Sequence, residues 1–236
     1  SILEIVRVLY DDFLKINPNN PNLPDRDRFI LSKGHGCLAQ YVVLADKGFI
    51  DKKELLTFCQ ENSILGGHPE YGKTPGVEAS TGALGHGMSI GVGMALSSRL
   101  QNRKNRVVVI LGDGEINEGS IWEAAMAASK HRLSNLTVII DYNKIQSYDF
   151  VSNVLNLEPM IDKWSSFGFE VKELNGHDVP NLKKTMCSLP FNLNKPTALI
   201  CHTIKGKGFS FAENNPKWHH KSNLSDDEIK QMYESI

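Results

Sequence analysis

Apolar residues fall into short β-branched runs separated by stretches with a helical repeat. Val107 to Leu111 is a continuous apolar run, the pattern of a strand buried on both faces, and Thr137 to Asp141 makes a second strand. Similar runs predict strands at 106–112, 137–142, 169–174 and 197–204, with helices between them at 119–131, 158–166 and 178–188. Ile2, Ile5, Val6, Leu9 and Phe13 share one helical face, which predicts a helix over 2–15 that ends in the Asn-Pro-rich stretch 17–24. Two further helices are expected at 38–47 and 52–60, broken at Gly48. The stretch 66–87 is rich in glycine and short polar residues and reads as a loop. A helix follows over 85–100. Its glycines Gly87, Gly91 and Gly93 each cost about 1 kcal/mol, so close packing on a neighbour is the expected compensation. A last helix starts at Ser225, with Asp226, Asp227 and Glu228 in its first turn. Strand-helix alternation of this kind gives an α/β, doubly wound, mostly parallel sheet in one domain spanning 1–236.

Composition narrows the function. The 236 residues are 41% hydrophobic and 22% charged, and the net charge of −1 gives no bulk field toward nucleic acid or an anionic membrane. No apolar run approaches the roughly 20 residues of a membrane span. Cys37, Cys59, Cys187 and Cys201 are scattered without a CxxC, which suits reduced thiols in a cytoplasmic protein better than disulfides or zinc. Ser1 falls inside the first helical pattern, so a segment upstream of it is expected.

The chemistry concentrates at two strand ends. The run 107–111 ends in Gly112-Asp113-Gly114, and the next strand is closed by Asn143. Glycines there let a ligand approach the backbone. Asp113 sits where open α/β sheets bind ligands, and Asn143 is expected beside it. A carboxylate, an amide oxygen and a nearby backbone carbonyl are hard ligands suited to Mg²⁺ that shares phosphate oxygens.

Gly-Asp-Gly followed by this asparagine resembles the magnesium-diphosphate motif of thiamine diphosphate enzymes. The surrounding words, GDGEINEGSIWEAAMAAS and DYNKIQ, resemble the transketolase family. So do RDRFILSKGHG at 26–36, GGHPE at 66–70, GVEASTGALGHGMS at 76–89, NGHD at 175–178 and HTIKGKG at 202–208, in order along nearly the whole chain. The resemblance implies the thiamine diphosphate-binding fold and transfer of a two-carbon ketol unit from a ketose to an aldose. It implies that Asp113, Asn143 and the Ile145 carbonyl hold Mg²⁺ (or Ca²⁺ or Mn²⁺). Gly114 and Gly82-Ala83-Leu84 are then expected against the diphosphate, with His86, Glu118 and Lys205 also at the cofactor. His86 stands where many transketolases have glutamine. His35, His68 and His219 are expected around the reactive end of the cofactor and the sugar, with His220 as the alternative to His219.

Plainer roles stay open for several of these residues. Asp113 also reads as a helix N-cap, Asn143 as a turn residue, Glu118 as a first-turn glutamate and Lys205 as a solvated loop lysine. His177 reads as a cap or packing residue as readily as a functional one. Lys33, before Gly34-His35, is a candidate for the sugar phosphate.

Two departures from the family pattern matter. The family's N-terminal Ser-Gly-His word is not found among these residues, and its second and third domains are expected on another chain. The glutamate that activates the aminopyrimidine ring belongs to a second domain, which the resemblance assigns to a neighbouring chain. The expected partner is therefore a C-terminal transketolase subunit, most simply in an α₂β₂ assembly. A 1-deoxyxylulose-5-phosphate synthase shares Gly-Asp-Gly but not the words after it. A nicotinamide Rossmann enzyme is disfavoured because Gly85-His86-Gly87 follows no strand and lacks the third glycine. A non-catalytic paralogue is disfavoured by intact Asp113, Asn143, His35, His68 and His219.

Overall fold

Period-two alternation inside the apolar runs decides which side chains meet which layer. The computed structural model describes every residue except Tyr148, His220, Ser222 and Ile236. Its strands are β1 (Arg28–Leu31), β2 (Val107–Gly112), β3 (Leu136–Tyr142), β4 (Glu170–Asn175) and β5 (Thr197–His202). They form one sheet in the order β1-β2-β3-β5-β4, and every pairing is parallel. In β2 and β3 every residue is buried. Val108, Ile110 and Ile139 point to one face, where α1 (Leu3–Val8), α2 (Cys37–Asp46) and α7 (Val179–Cys187) close the core. Val107, Val109, Leu111, Val138 and Ile140 point to the other, under α3 (His86–Leu100), α4 (Gly119–Lys130) and α6 (Met160–Ser166). A short helix, α5 (Val151–Val154), precedes α6, and α8 (Asp226–Glu234) ends the chain. Ser225 and Glu228 form the capping box of α8.

The parallel, doubly wound expectation holds, with differences in detail. β1 is an edge strand that the periodicity did not single out: four residues, Arg28–Leu31, are too few to show a repeat. The first helix is α-helical only over Leu3–Val8 and continues as a π-helical turn over Leu9–Phe13. The helix expected at 52–60 is a 3₁₀ segment, Lys52–Thr57, with no buried residue to anchor a longer one. β4, at the other edge, exposes Lys172 and Glu173, charges that discourage further pairing. The compensation expected for the α3 glycines is present at Gly91, where an added Cβ would lie 2.5 Å from Val109 Cγ2. At Gly93 there is open space instead. No helix among the described residues is long and apolar enough to cross a membrane.

Candidate functional site

Because all strands run parallel, the segments leaving β1, β2, β3 and β5 emerge at one edge of the sheet. They carry Lys33 and His35, Asp113, Asn143, and Lys205 respectively, and these residues line one cleft with Gly114, Ile145 and His219. This is the ligand position of open α/β sheets.

Asp113 begins the 3₁₀ turn Gly114–Asn117 and is buried. Its Oδ1 accepts from the Gly114 N–H at 2.8 Å and its Oδ2 from the Lys144 N–H at 2.5 Å, tying the β2 turn to the β3 turn. The N-cap role and a place in the cleft thus coexist. Lys144 has a left-handed backbone, φ 68°, a strained conformation for a lysine that folds the chain back between Asn143 and Ile145. Asn143 Oδ1 accepts from the Ile145 N–H at 3.1 Å, and its Nδ2 donates to Asp141 Oδ2 at 3.0 Å. The Asp113 and Asn143 oxygens each keep a further lone pair for a ligand. The Gly114 N–H, expected against the diphosphate, donates to Asp113 in this structure.

The charges are coupled. Burial, then the Asp141 carboxylate, pushes the Asp113 carboxyl up to about 6, against the pull of Lys33 and the two amides. Burial alone would raise Asp141 as well, but the Lys33 ammonium, the N-terminal ammonium and the Thr203 hydroxyl together outweigh it and hold that carboxyl well below the usual range. Burial, then Lys33, lowers Lys205 to about 8. Hard oxygen donors and ammonium groups therefore share one desolvated cleft.

The histidines divide. His35 and His219 lie together, ring centroids 5.9 Å apart and tilted by 42°, and both line the cleft. His68 is exposed and packs its ring on Gly82, where an added Cβ would meet His68 Cδ2 at 2.8 Å. Leu84, two residues on, lines the cleft. His220 lies outside the described residues. His177 is structural: its Nδ1 pairs with Glu4 at 2.8 Å and its Nε2 accepts from the Ile204 N–H at 2.8 Å, bracing the segment that carries Lys205.

Other expected residues lie apart. Ala83, His86 and Glu118 are exposed and do not line the cleft of this chain. Glu118 is the N-cap of α4 but makes no side-chain cap bond. Its Cβ lies 2.8 Å from where a Cβ of Gly85 would be, and the His86 Nδ1 is 3.2 Å from the Leu84 carbonyl, so both border the Gly85 turn. Lys33, the candidate for a sugar phosphate, lines the cleft, with its side chain 4% exposed and its Nζ 2.5 Å from Asp141 Oδ2.

Sequence reasoning missed Asp141 and Glu115. Asp141 is fully buried at the end of β3 and accepts from Lys33, Asn143 and the Thr203 hydroxyl. Its signal was an acid closing an otherwise apolar strand, which demands a partner. Glu115 is buried and accepts from the Ser32 hydroxyl and from the Gly85 and Gly112 N–H groups, each amide at 3.0 Å. It joins the β1 and β2 segments to the turn before α3. Burial raises its carboxyl, against those bonds.

Known proteins resemble this chain in sequence and fold. The family model described as "Transketolase, thiamine diphosphate binding domain" matches residues 1–236. An apulose-4-phosphate transketolase subunit of Phocaeicola vulgatus is 44% identical over 220 residues, 93% of this chain and 78% of that protein. The 6-deoxy-6-sulfo-D-fructose transketolase subunit SqwG of a Clostridium species is 41% identical over 213 residues, 90% of this chain and 78% of that one. Among solved structures, the transketolase of Campylobacter jejuni superposes with a TM-score of 0.88 at 32% identity, covering 98% of this chain. The chain spans 37% of the length of that transketolase. With its parallel sheet, its cleft and these matches, the chain belongs to the transketolase family of transferases, in the thiamine diphosphate-binding domain.

Proposed function

We propose that this chain is the diphosphate-binding subunit of a split transketolase, which moves a two-carbon ketol unit from a ketose donor to an aldose acceptor. The observation that carries the reading is the cleft in which Asp113, Asn143 and Ile145 stand beside Lys33 and Lys205. Support comes from relatives that are named as transketolase subunits and match over most of their own length. The donor set suits Mg²⁺: a carboxylate, an amide oxygen and the Ile145 carbonyl are hard ligands that leave positions for phosphate oxygens and water. Bound thiamine diphosphate supplies the nucleophilic thiazolium carbon. In this reading Lys205 balances diphosphate charge. His35 and His219, with His68 from the Gly82 side, exchange protons with sugar hydroxyls, work that imidazole performs near neutral pH. Ala83, His86 and Glu118 complete the cofactor site from the Gly85 turn only once a second chain packs there, in an α₂β₂ assembly. The four cysteines are free, which fits the cytoplasm as its compartment.

Calorimetric titration of the assembled enzyme with thiamine diphosphate and Mg²⁺ tests the assignment. Asp113→Ala removes a hard ligand and is expected to abolish metal-dependent binding; unchanged affinity would sink it.

A further inference from the structure

Gln146 lines the same cleft as Asp113, Asn143 and Lys205. Its side chain lies over the Gly-Asp-Gly turn: a Cβ at Gly114 would meet Gln146 Cβ at 2.8 Å and Oε1 at 3.2 Å. Glycine at 114 is therefore what admits the glutamine. The backbone beneath it is fixed, since the Gln146 N–H donates to the Asp149 carbonyl at 3.0 Å. Its amide nitrogen, Nε2, is nevertheless buried with no hydrogen-bond partner. A buried donor left unpaired destabilises the fold, so its retention in the wall of a ligand cleft calls for an acceptor that arrives with the ligand.

The surroundings say what that acceptor is. Of the two neighbouring ammonium groups, Lys33 is held by Asp141, and Lys205 makes the cleft receptive to an anion. A neutral donor suits this position beside Asp113, because a third cation would pair with that carboxylate and compete for it with a metal. We infer that Gln146 is a cofactor-binding residue whose Nε2 donates to a diphosphate oxygen. The inference rests on the thiamine diphosphate reading above.

The test uses the assembled enzyme carrying either the unaltered chain, Gln146→Met or Gln146→Glu. Methionine keeps the length and removes the donor; glutamate keeps the shape and puts a negative charge where the donor was. Affinity is measured by calorimetry for thiamine diphosphate and, separately, for inorganic pyrophosphate, each with Mg²⁺. Gln146→Met is expected to weaken both about 10- to 100-fold, and Gln146→Glu to weaken both further. The melting temperature of the unliganded Gln146→Met chain should not fall, because no bond of the unliganded chain is lost. Should methionine prevent folding, the glutamate variant decides alone. Unchanged pyrophosphate affinity in the variants, or a loss confined to thiamine diphosphate, would overturn the inference while leaving the thiamine diphosphate reading standing. Failure of the unaltered enzyme to bind thiamine diphosphate would overturn both.

Discussion

The Lys33 ammonium lies 2.5 Å from the Asp141 carboxylate, and the two side chains are 4% and 0% exposed. This pair sits beneath the cleft, and through the Asn143 Nδ2 it reaches a proposed metal ligand. Buried ion pairs contribute little net stability when intact, but removing one partner leaves an uncompensated charge in a low dielectric. Lys33→Met and Asp141→Asn are each expected to destabilise the chain by about 3–5 kcal/mol. The double variant should lose clearly less than the sum of the two, since neither charge is then stranded. Urea unfolding of the three variants checks this, and additive losses would show that the pair is not coupled.

Lys205 gives the site a pH dependence. Burial, followed by the Lys33 charge, lowers its ammonium from the ordinary lysine range to about 8. The protonated form attracts diphosphate, so the Lys205 contribution to affinity is present below about pH 8 and is lost as the proton leaves above it. Bound diphosphate in turn stabilises the ammonium, and binding just above that pH should take up protons. Calorimetry in buffers of different ionisation enthalpy measures that uptake. Lys205→Arg, which stays charged, should flatten the decline. A wild-type affinity that stays constant from neutral pH to well above the Lys205 titration would remove this lysine from the diphosphate site.

His35 and His219 stand together, and His68 approaches from Gly82. Serving proton transfer on the sugar, each replaced by alanine should lower turnover about 10²- to 10⁴-fold while thiamine diphosphate still binds. Steady-state kinetics beside a cofactor titration separates the two effects. Full activity in two of the three variants would mean that the sugar's protons are handled elsewhere.

How far the sequence reached depends on the kind of signal. Buried strands such as β2 and β3 announce themselves, because parallel strands covered on both faces must be apolar throughout. Asp113 and Asn143 were legible as polar residues placed at the ends of such strands. β1 was not: Arg28–Leu31 is too short for a period and lies inside a motif read for its chemistry. Glu115 and Asp141 escaped because their importance lies in what they accept from. Ser32, Gly85 and Lys33 are remote in sequence and meet these carboxylates only after the sheet has formed. The helix expected to Lys15 stopped being α-helical at Val8, where the same apolar face continues through a π turn. Side-chain spacing alone does not separate those two backbones.

In the proposed site the cleft of this chain takes the diphosphate and its metal, while Ala83, His86 and Glu118 remain exposed around the Gly85 turn. The resemblance to transketolases implies that the glutamate activating the aminopyrimidine comes from a second domain on another chain. Each cofactor then needs one copy of this chain and one of its partner. A two-fold arrangement of such sites gives α₂β₂ as the simplest closed assembly. The loop 66–87, the start of α4 and the segment near His219 are the surfaces expected at the contacts. The isolated chain should therefore show no ketol transfer with any ketose–aldose pair. Adding the partner should bring turnover and a mass by light scattering that matches two copies of each chain. Replacing Glu118 by alanine should weaken assembly or cofactor retention in the complex and leave the fold of the isolated chain intact, since its side chain makes no cap bond in α4. Substantial turnover by the chain alone would refute the split-subunit reading.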